Sequence, residues 1–176
     1  MNKTSKMVYI SLLVAQALIL FLVERMIPVP FITPGAKLGL ANVIIVIALY
    51  TLDSYKEAFL VIFLRLLLST MFGGNLSSFM FSLFGSIFSF VIMVVIKILF
   101  KDKVSIIGVS AAGGVFHNIG QLLVAAFIVK NIGVMLYLPV LSIAGIVTGI
   151  FVGLTANLAV SHLIKLPQFK IKGNNV

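Results

Sequence analysis

The feature that most constrains the fold is a succession of six apolar segments separated by short breaks. A spanning helix needs roughly 20 residues at about 1.5 Å each. On that measure we place spans at residues 7–27, 37–52, 55–72, 76–99, 104–129 and 139–164. The chain is 61% hydrophobic and 10% charged, a balance that does not suit a water-soluble domain. The sequence therefore predicts an all-α membrane protein, a bundle of six transmembrane helices.

The breaks between the segments carry ordinary turn residues. Prolines end the first segment and can start the sixth, and Gly73, Gly74 and Asn75 separate the third from the fourth. No linker is long enough to divide the chain, and there is no clear internal repeat. Residues 1–176 are therefore predicted to form a single integral membrane domain.

The basic residues predict how the bundle is oriented. With a cytoplasmic N-terminus, nine lysines face the cytoplasm: Lys3, Lys6, Lys56, Lys97, Lys101, Lys103, Lys165, Lys170 and Lys172. Only Arg25, Lys37 and Lys130 then lie outside, which places both termini inside. The lysines cluster between apolar runs and form no stripe with interleaved aromatics. The net charge of +9 therefore indicates membrane orientation and not nucleic-acid binding.

Arg65 is the basic residue that the apolar segments enclose. It lies about midway along the third segment, in "VIFLRLLLSTMFGG", too deep to reach either surface easily. A charge at that depth is expected to face the bundle interior and to pair with an anion. Two partners remain open: Glu24, in an internal salt bridge, or an anionic group of a ligand. The ligand is preferred, because intramembrane charges are functional candidates by default.

The fifth segment contains a second polar group, in "GGVFHNIGQ" at residues 113–121. Steps of three and four residues place Gln121, and either His117 or Asn118, on one helix face with small residues. That face should point inward. Each residue alone could simply hydrogen-bond a neighbouring helix, but the three together favour a ligand site slightly. His117 is not expected to bind a metal, since the other histidine, His162, lies at the far end of its span.

Two further features are structural candidates. The loop "PVPFITPGAKLGLAN", residues 28–42, should form an ordered outer cap with Lys37 and Asn42 at the mouth of the second span. Small residues recur every four positions in the sixth segment, at Gly145, Gly149 and Gly153, a spacing that lets helix backbones approach closely. Helix packing is the expected role of these glycines.

Enzymatic chemistry has little support in the sequence. The four acidic residues are Glu24, Asp53, Glu57 and Asp102, and none is paired within a span, so no carboxylate cluster is expected to hold Mg²⁺. There is no cysteine and no Walker-type phosphate loop. We therefore expect no catalytic residues, no metal site and no enzyme.

Three pieces of the chain, "PGAKLGLAN", "FGGNLSSF" and "GGVFHNIGQ", carry a resemblance to a known family. With six short-looped spans, they resemble the substrate-binding S components of energy-coupling factor (ECF) transporters. The branch is the Gx transporter family, whose members are often labelled heptaprenyl diphosphate synthase component I. The resemblance extends from Met7 to Leu166. It implies a bundle of ECF S-component type in a bacterial cell membrane.

The resemblance also implies function and partners. An S component captures a small molecule at the outer face and docks on a membrane T component that two cytoplasmic ATPases drive, so it needs no cofactor of its own. The family's docking pattern, AxxxA on the first helix, has its nearest match here in Ser11 and Ala15. Positions carried over from the family, together with the residue-based candidates, give the expected substrate-binding set: Lys37, Asn42, Arg65, Asn75, His117, Asn118 and Gln121. The expected substrate is anionic or amphipathic, and the family label suggests an isoprenoid-related metabolite.

Two other functions remain open at this point. One is a membrane subunit associated with heptaprenyl diphosphate synthesis. Prenyl synthases carry an aspartate-rich DDxxD motif, and this chain has no adjacent aspartates, so a partner would have to supply the metal-binding carboxylates. The other is a structural or channel-forming oligomer that packs through Gly145, Gly149 and Gly153.

Overall fold

The computed structural model describes residues 2–26, 39–72, 75–166 and 169, apart from the side chains of Arg25 and Asp102. In these residues the chain forms six α-helices and no strand, which confirms the all-α prediction. The helices are α1 (Lys3–Met26), α2 (Asn42–Thr51), α3 (Tyr55–Met71), α4 (Leu76–Phe100), α5 (Ile106–Val129) and α6 (Leu138–Leu163). Short 3₁₀ turns, Lys101–Lys103 and Ile132–Tyr137, precede α5 and α6.

Four of the helical segments are long and apolar enough to cross a membrane: Lys3–Glu24, Leu76–Phe100, Ile106–Val129 and Ile132–Leu163. The chain therefore has the character of a membrane protein. The predicted boundaries of the third to sixth segments agree with α3 to α6 to within two residues. Helix α3 has 17 residues and a length of about 26 Å.

The second segment differs from the prediction. We expected a helix over residues 37–52, but α2 begins at Asn42, because Gly39 has a φ of +84° and residues 40–41 form a turn. That φ belongs to the left-handed region, which a right-handed helix excludes and glycine tolerates. The ten residues of α2 are about 15 Å long, roughly half the hydrocarbon thickness of a bilayer.

Helix α2 is the central element of the bundle. Nine of its ten residues are buried, and it contacts α1, α3, α4 and α6. A helix that is apolar on all sides, as α2 is apart from its ends, is suited to such a position. The N-terminus of α2 consequently opens into the interior and not onto the surface.

Glycines let α5 and α6 pack closely. A Cβ atom built on Gly149 would lie 2.6 Å from the carbonyl oxygen of Ser110, and one built on Gly153 would lie 2.7 Å from the Cα of Ile107. Gly145 meets the backbone of Gly114 in the same way, with 2.8 Å to its carbonyl oxygen. The packing role expected for these glycines is confirmed. The alternative in which they join separate copies of the chain is wrong, because α5 of the same chain covers them.

Polar contacts differ between the two ends of the bundle. At the end that holds the N-terminus, Lys6 Nζ donates to Glu57 Oε1 at 3.0 Å, and Lys97 Nζ donates to the carbonyl oxygen of Leu49 at 2.7 Å. We call this the lysine end. The opposite end, where α1, α3 and α5 finish and α2, α4 and α6 begin, contains most of the predicted binding residues, and we call it the site end.

Candidate functional site

The imidazole of His117 lies between two glycines that come from different elements. A Cβ atom built on Gly85 of α4 would lie 2.7 Å from His117 Cε1 and 2.8 Å from Nδ1. One built on Gly39, just before α2, would lie 3.2 Å from His117 Nε2. A larger residue at Gly85 would therefore displace the ring. The ring is 4% exposed, so α4 and the entrance to α2 enclose it.

Gln121 and Asn42 complete a polar group around this ring. Gln121 lies one helical turn beyond His117, with 2.9 Å between the two Nε2 atoms. On the other side, a Cβ atom on Gly39 would lie 2.8 Å from Asn42 Nδ2. We call Gly39, Asn42, His117 and Gln121 the His117 cluster. The inward-facing surface that the spacing predicted for α5 is confirmed for His117 and Gln121, both of which are buried.

Asn118 takes a different position from its neighbour. Its Nδ2 donates a hydrogen bond of 2.6 Å to the carbonyl oxygen of Leu141 in α6. His117, and not Asn118, is therefore the residue that lies with Gln121 on the inward polar face. Asn118 joins α5 to α6, the role that buried amides in membrane bundles commonly have.

Arg65 is buried at the same end of the bundle, with 4% of its surface exposed. Its Nη2 donates to Ser86 Oγ at 2.7 Å, while its buried Nε has no hydrogen-bond partner within the described chain. Ser86 directly follows Gly85, which seats His117. The arginine and the histidine therefore approach the same turn of α4.

A direct salt bridge between Arg65 and Glu24 was one of the two expected alternatives. The ion pairs in which both residues are described join Lys6 to Asp53 and Glu57, so none joins Arg65 to Glu24. The opposite charge of Glu24 still stabilises the guanidinium from a longer distance. The Nε–H group of Arg65 is thus a hydrogen-bond donor without an acceptor among the described residues.

Glu24 has a role that the sequence did not reveal. Its side chain is buried, and its Oε1 accepts a hydrogen bond from the backbone N–H of Gly39. This contact joins the end of α1 to the entrance of α2, beside the His117 ring. An acidic residue near the end of a span indicated that Glu24 has a partner, but the sequence did not identify that partner as Gly39.

The two remaining predicted site residues are Asn75, which lies apart from the His117 cluster, and Lys37. Asn75 is exposed and caps α4, its Oδ1 accepting from the backbone N–H of Ser78 at 2.7 Å. Lys37 lies outside the described residues. Their binding roles stay predictions.

The expected docking residues, Ser11 and Ala15, are both exposed on α1. Ser11 Oγ donates to the carbonyl oxygen of Met7 in the same helix at 3.0 Å, and the neighbouring Leu12 is 55% exposed. The small residues thus lie on an outward face of the bundle that a partner helix can reach.

Beneath the His117 cluster is a small cavity that the sequence did not predict. Its volume is about 10 Å³, which is room for about one water molecule. Its walls are Gly39, Asn42, Ser89, Met93, Ser110, Gly114, Thr148, Gly149 and Val152. Metabolite pockets measure roughly 300–1,000 Å³. A metabolite would therefore have to widen this space.

The described residues bring together no group of three or more His, Cys, Asp or Glu side chains that could hold a metal ion. Of the four acidic residues, Asp53 and Glu57 lie at the lysine end, where both contact Lys6 Nζ, at 2.8 and 3.0 Å. Glu24 lies at the site end. The carboxylates of these three residues are thus divided between the two ends of the bundle.

Comparison with known proteins gives one match. A family model described as heptaprenyl diphosphate synthase component I matches residues 13–159. The matched range includes the His117 cluster, Arg65 and Glu24. No curated protein and no solved structure matches the chain.

Proposed function

Because the chain belongs to the heptaprenyl diphosphate synthase component I family, we propose that it is the substrate-binding S component of an ECF transporter. In this role it captures a small anionic or amphipathic metabolite at the outer face for ATP-driven uptake. The family match confirms the label that the sequence motifs suggested. The transport role rests on the resemblance of those motifs and on the chemistry of the site end.

The observation that carries the proposal is the buried guanidinium of Arg65. Placing a charge in the interior of a membrane bundle costs free energy that only partners can offset. Ser86 accepts from Nη2, and Glu24 acts from a distance, which leaves Nε without a hydrogen bond in the described residues. A carboxylate or phosphate group would supply the missing acceptor and place an opposite charge in direct contact with the guanidinium.

The His117 cluster supports the same location for the ligand. Arg65 and His117 meet α4 at the consecutive residues Ser86 and Gly85. The charged and the neutral polar groups can thus bind one molecule, with Arg65 holding an anionic group and His117 or Gln121 orienting the remainder. Lys37, at the predicted mouth of the second span, would add a second positive charge.

The positions of the carboxylates favour a binding protein over a prenyl synthase. Diphosphate chemistry relies on Mg²⁺ held by carboxylates that converge on one point. Here Glu24 lies at the site end, whereas Asp53 and Glu57 contact Lys6 at the lysine end. We therefore take the family name as a label only and propose that this chain has no catalytic residues of its own.

We further propose that all six helices belong to the membrane domain of a bacterial cell and that both termini are cytoplasmic. Lys3, Lys6, Lys56 and Lys97 gather at the lysine end, in agreement with the positive-inside rule. The site end then faces outward, where a substrate arrives. Helix α2, too short to span alone, is accommodated in the centre of the bundle, where its neighbours shield it from lipid.

The proposed partners are a membrane T component and two cytoplasmic ATPases. The exposed Ser11 and Ala15 on α1 provide the small-residue face on which the T component would dock. ATP is hydrolysed by the partner subunits, so the chain itself needs no cofactor.

Purification of the tagged full chain from native membranes tests this assignment. Mass spectrometry of the co-purifying proteins is expected to find a T component and two ATPases. A variant with leucine at both docking positions, Ser11→Leu/Ala15→Leu, should lose them, whereas Ile19→Leu, on an exposed part of the same helix, should retain them. Recovery of a soluble prenyl synthase subunit, with synthase activity that depends on this chain, would contradict the proposal.

A further inference from the structure

The cavity beneath the His117 cluster contains an unexplained polar atom. Ser89 is 1% exposed, and its Oγ forms no hydrogen bond in the described chain. A buried hydroxyl without a partner is destabilising, and the great majority of such groups bond to protein or to ordered water. The position of Ser89 in the cavity wall indicates where its missing partner lies.

The other walls have the chemistry that a small polar occupant needs. The side chains of Asn42, Ser110 and Thr148 line the same space from α2, α5 and α6. Thr148 Oγ1 already donates within α6, to the carbonyl oxygen of Ala144 at 3.0 Å, and can still accept. A buried water typically makes about three hydrogen bonds, and four side chains here offer oxygen or nitrogen atoms.

The size of the cavity restricts the occupant further. A volume of about 10 Å³ matches about one water molecule. The cavity cannot easily collapse, because glycines at positions 114 and 149 already bring α5 and α6 into backbone contact. Helix packing thus limits how far the cavity can collapse.

We propose that this cavity is a binding site for one buried water molecule, which hydrogen-bonds Ser89 and at least one of Asn42 and Ser110. The water joins α4 to the N-terminus of α2 or to α5, beside Gly39 and Asn42 of the His117 cluster. It forms a polar floor for the site end. This inference does not depend on the transport role, since the water serves the packing of the bundle whether or not a ligand binds.

The test is the effect of Ser89→Ala on the thermal stability of the full chain in detergent. If a water is bound, the variant loses a hydrogen bond, and its unfolding midpoint falls by roughly 2–4 °C. If the cavity is dry, alanine removes an unpaired hydroxyl, and the midpoint stays the same or rises. Ser77→Ala on the same helix, at a half-buried position outside the cavity wall, measures the effect of a serine-to-alanine change away from the water.

A double variant separates a shared water from independent effects. If Ser110 is the second partner of the water, Ser110→Ala and Ser89→Ala together lower the midpoint by less than the sum of their separate effects, because both remove bonds to the same molecule. Additive effects assign the second bond to Asn42 instead. A crystal structure should show a density peak within hydrogen-bonding distance of Ser89 Oγ. A neutral or stabilising Ser89→Ala with no such peak would overturn the proposal.

Discussion

His117 and Gln121 face each other across one turn of α5, with their Nε2 atoms 2.9 Å apart. This contact is one hydrogen bond between the amide and the imidazole, and the tautomer of the ring decides which of the two donates. Gln121 thus helps to orient the ring of His117. Because the glycines at 39 and 85 fix the plane of the ring, the histidine is held on three sides.

Gln121→Leu should destabilise the protein by about 1–3 kcal/mol, since it removes the hydrogen-bond partner of the buried His117 Nε2. The change is measured as the shift in unfolding midpoint of the purified chain. Leu123→Ala, at an exposed position of the same helix, is the control and should have a much smaller effect. Equal effects of the two variants would mean that the contact contributes nothing.

Gly85→Ala should displace the ring of His117, because the new methyl group would lie 2.7 Å from Cε1. We expect a cost of about 1–3 kcal/mol, the usual range for overpacking. In a His117→Ala background the same substitution should be nearly neutral or stabilising, since the space is then free and alanine favours the helix. Additive effects in this double-mutant cycle would show that Gly85 does not seat His117.

Gly149→Ala should prevent normal folding, because its Cβ would meet backbone atoms, 2.6 Å from the carbonyl oxygen of Ser110 and 2.7 Å from the Cα of Ala111. Backbone cannot move aside as a side chain can. Gly108→Ala, whose Cβ would meet only side-chain atoms of Val104 and Ser105, is the matched control. Membrane yield and size-exclusion profile measure the outcome, and a well-folded Gly149→Ala protein would refute the close packing of α5 on α6.

The orientation can be tested directly because the natural chain has no cysteine. Single cysteines at exposed positions of the two ends, Lys56→Cys and Lys130→Cys, are labelled in intact cells with a membrane-impermeant maleimide. We expect labelling of Lys130→Cys before lysis and of Lys56→Cys only after it. The reverse pattern would place the site end in the cytoplasm and exclude capture of a substrate from outside.

Sequence reasoning predicted the helices better than their contacts. Periodicity indicates which face of α5 is polar, and it correctly placed His117 and Gln121 inside. It does not indicate which neighbour each residue meets, so the bond from Asn118 to Leu141 and the contact between Glu24 and Gly39 were not foreseen. Both depend on helix packing, which brings together residues that are distant in the chain.

The start of α2 and the cavity were missed for related reasons. The residues after Lys37, "LGLAN", read as a helix that continues, and only the backbone conformation of Gly39 shows that it does not. The cavity arises where α2, α4, α5 and α6 meet, and no local pattern marks Ser89 as a wall residue. A single helix face carries too little information to predict a volume shared by four helices.

The central claim is that Arg65 binds an anionic group of the substrate. Mass spectrometry of the small molecules extracted from purified protein tests it in the wild type, in Arg65→Gln and in Lys130→Gln, which removes an exposed charge at the same end. Glutamine removes the charge and shortens the side chain, and size-exclusion profiles verify that each variant is folded. We predict that an anionic metabolite is retained by the wild type and by Lys130→Gln and is lost from Arg65→Gln. Retention of that metabolite at the wild-type level by folded Arg65→Gln would contradict the account.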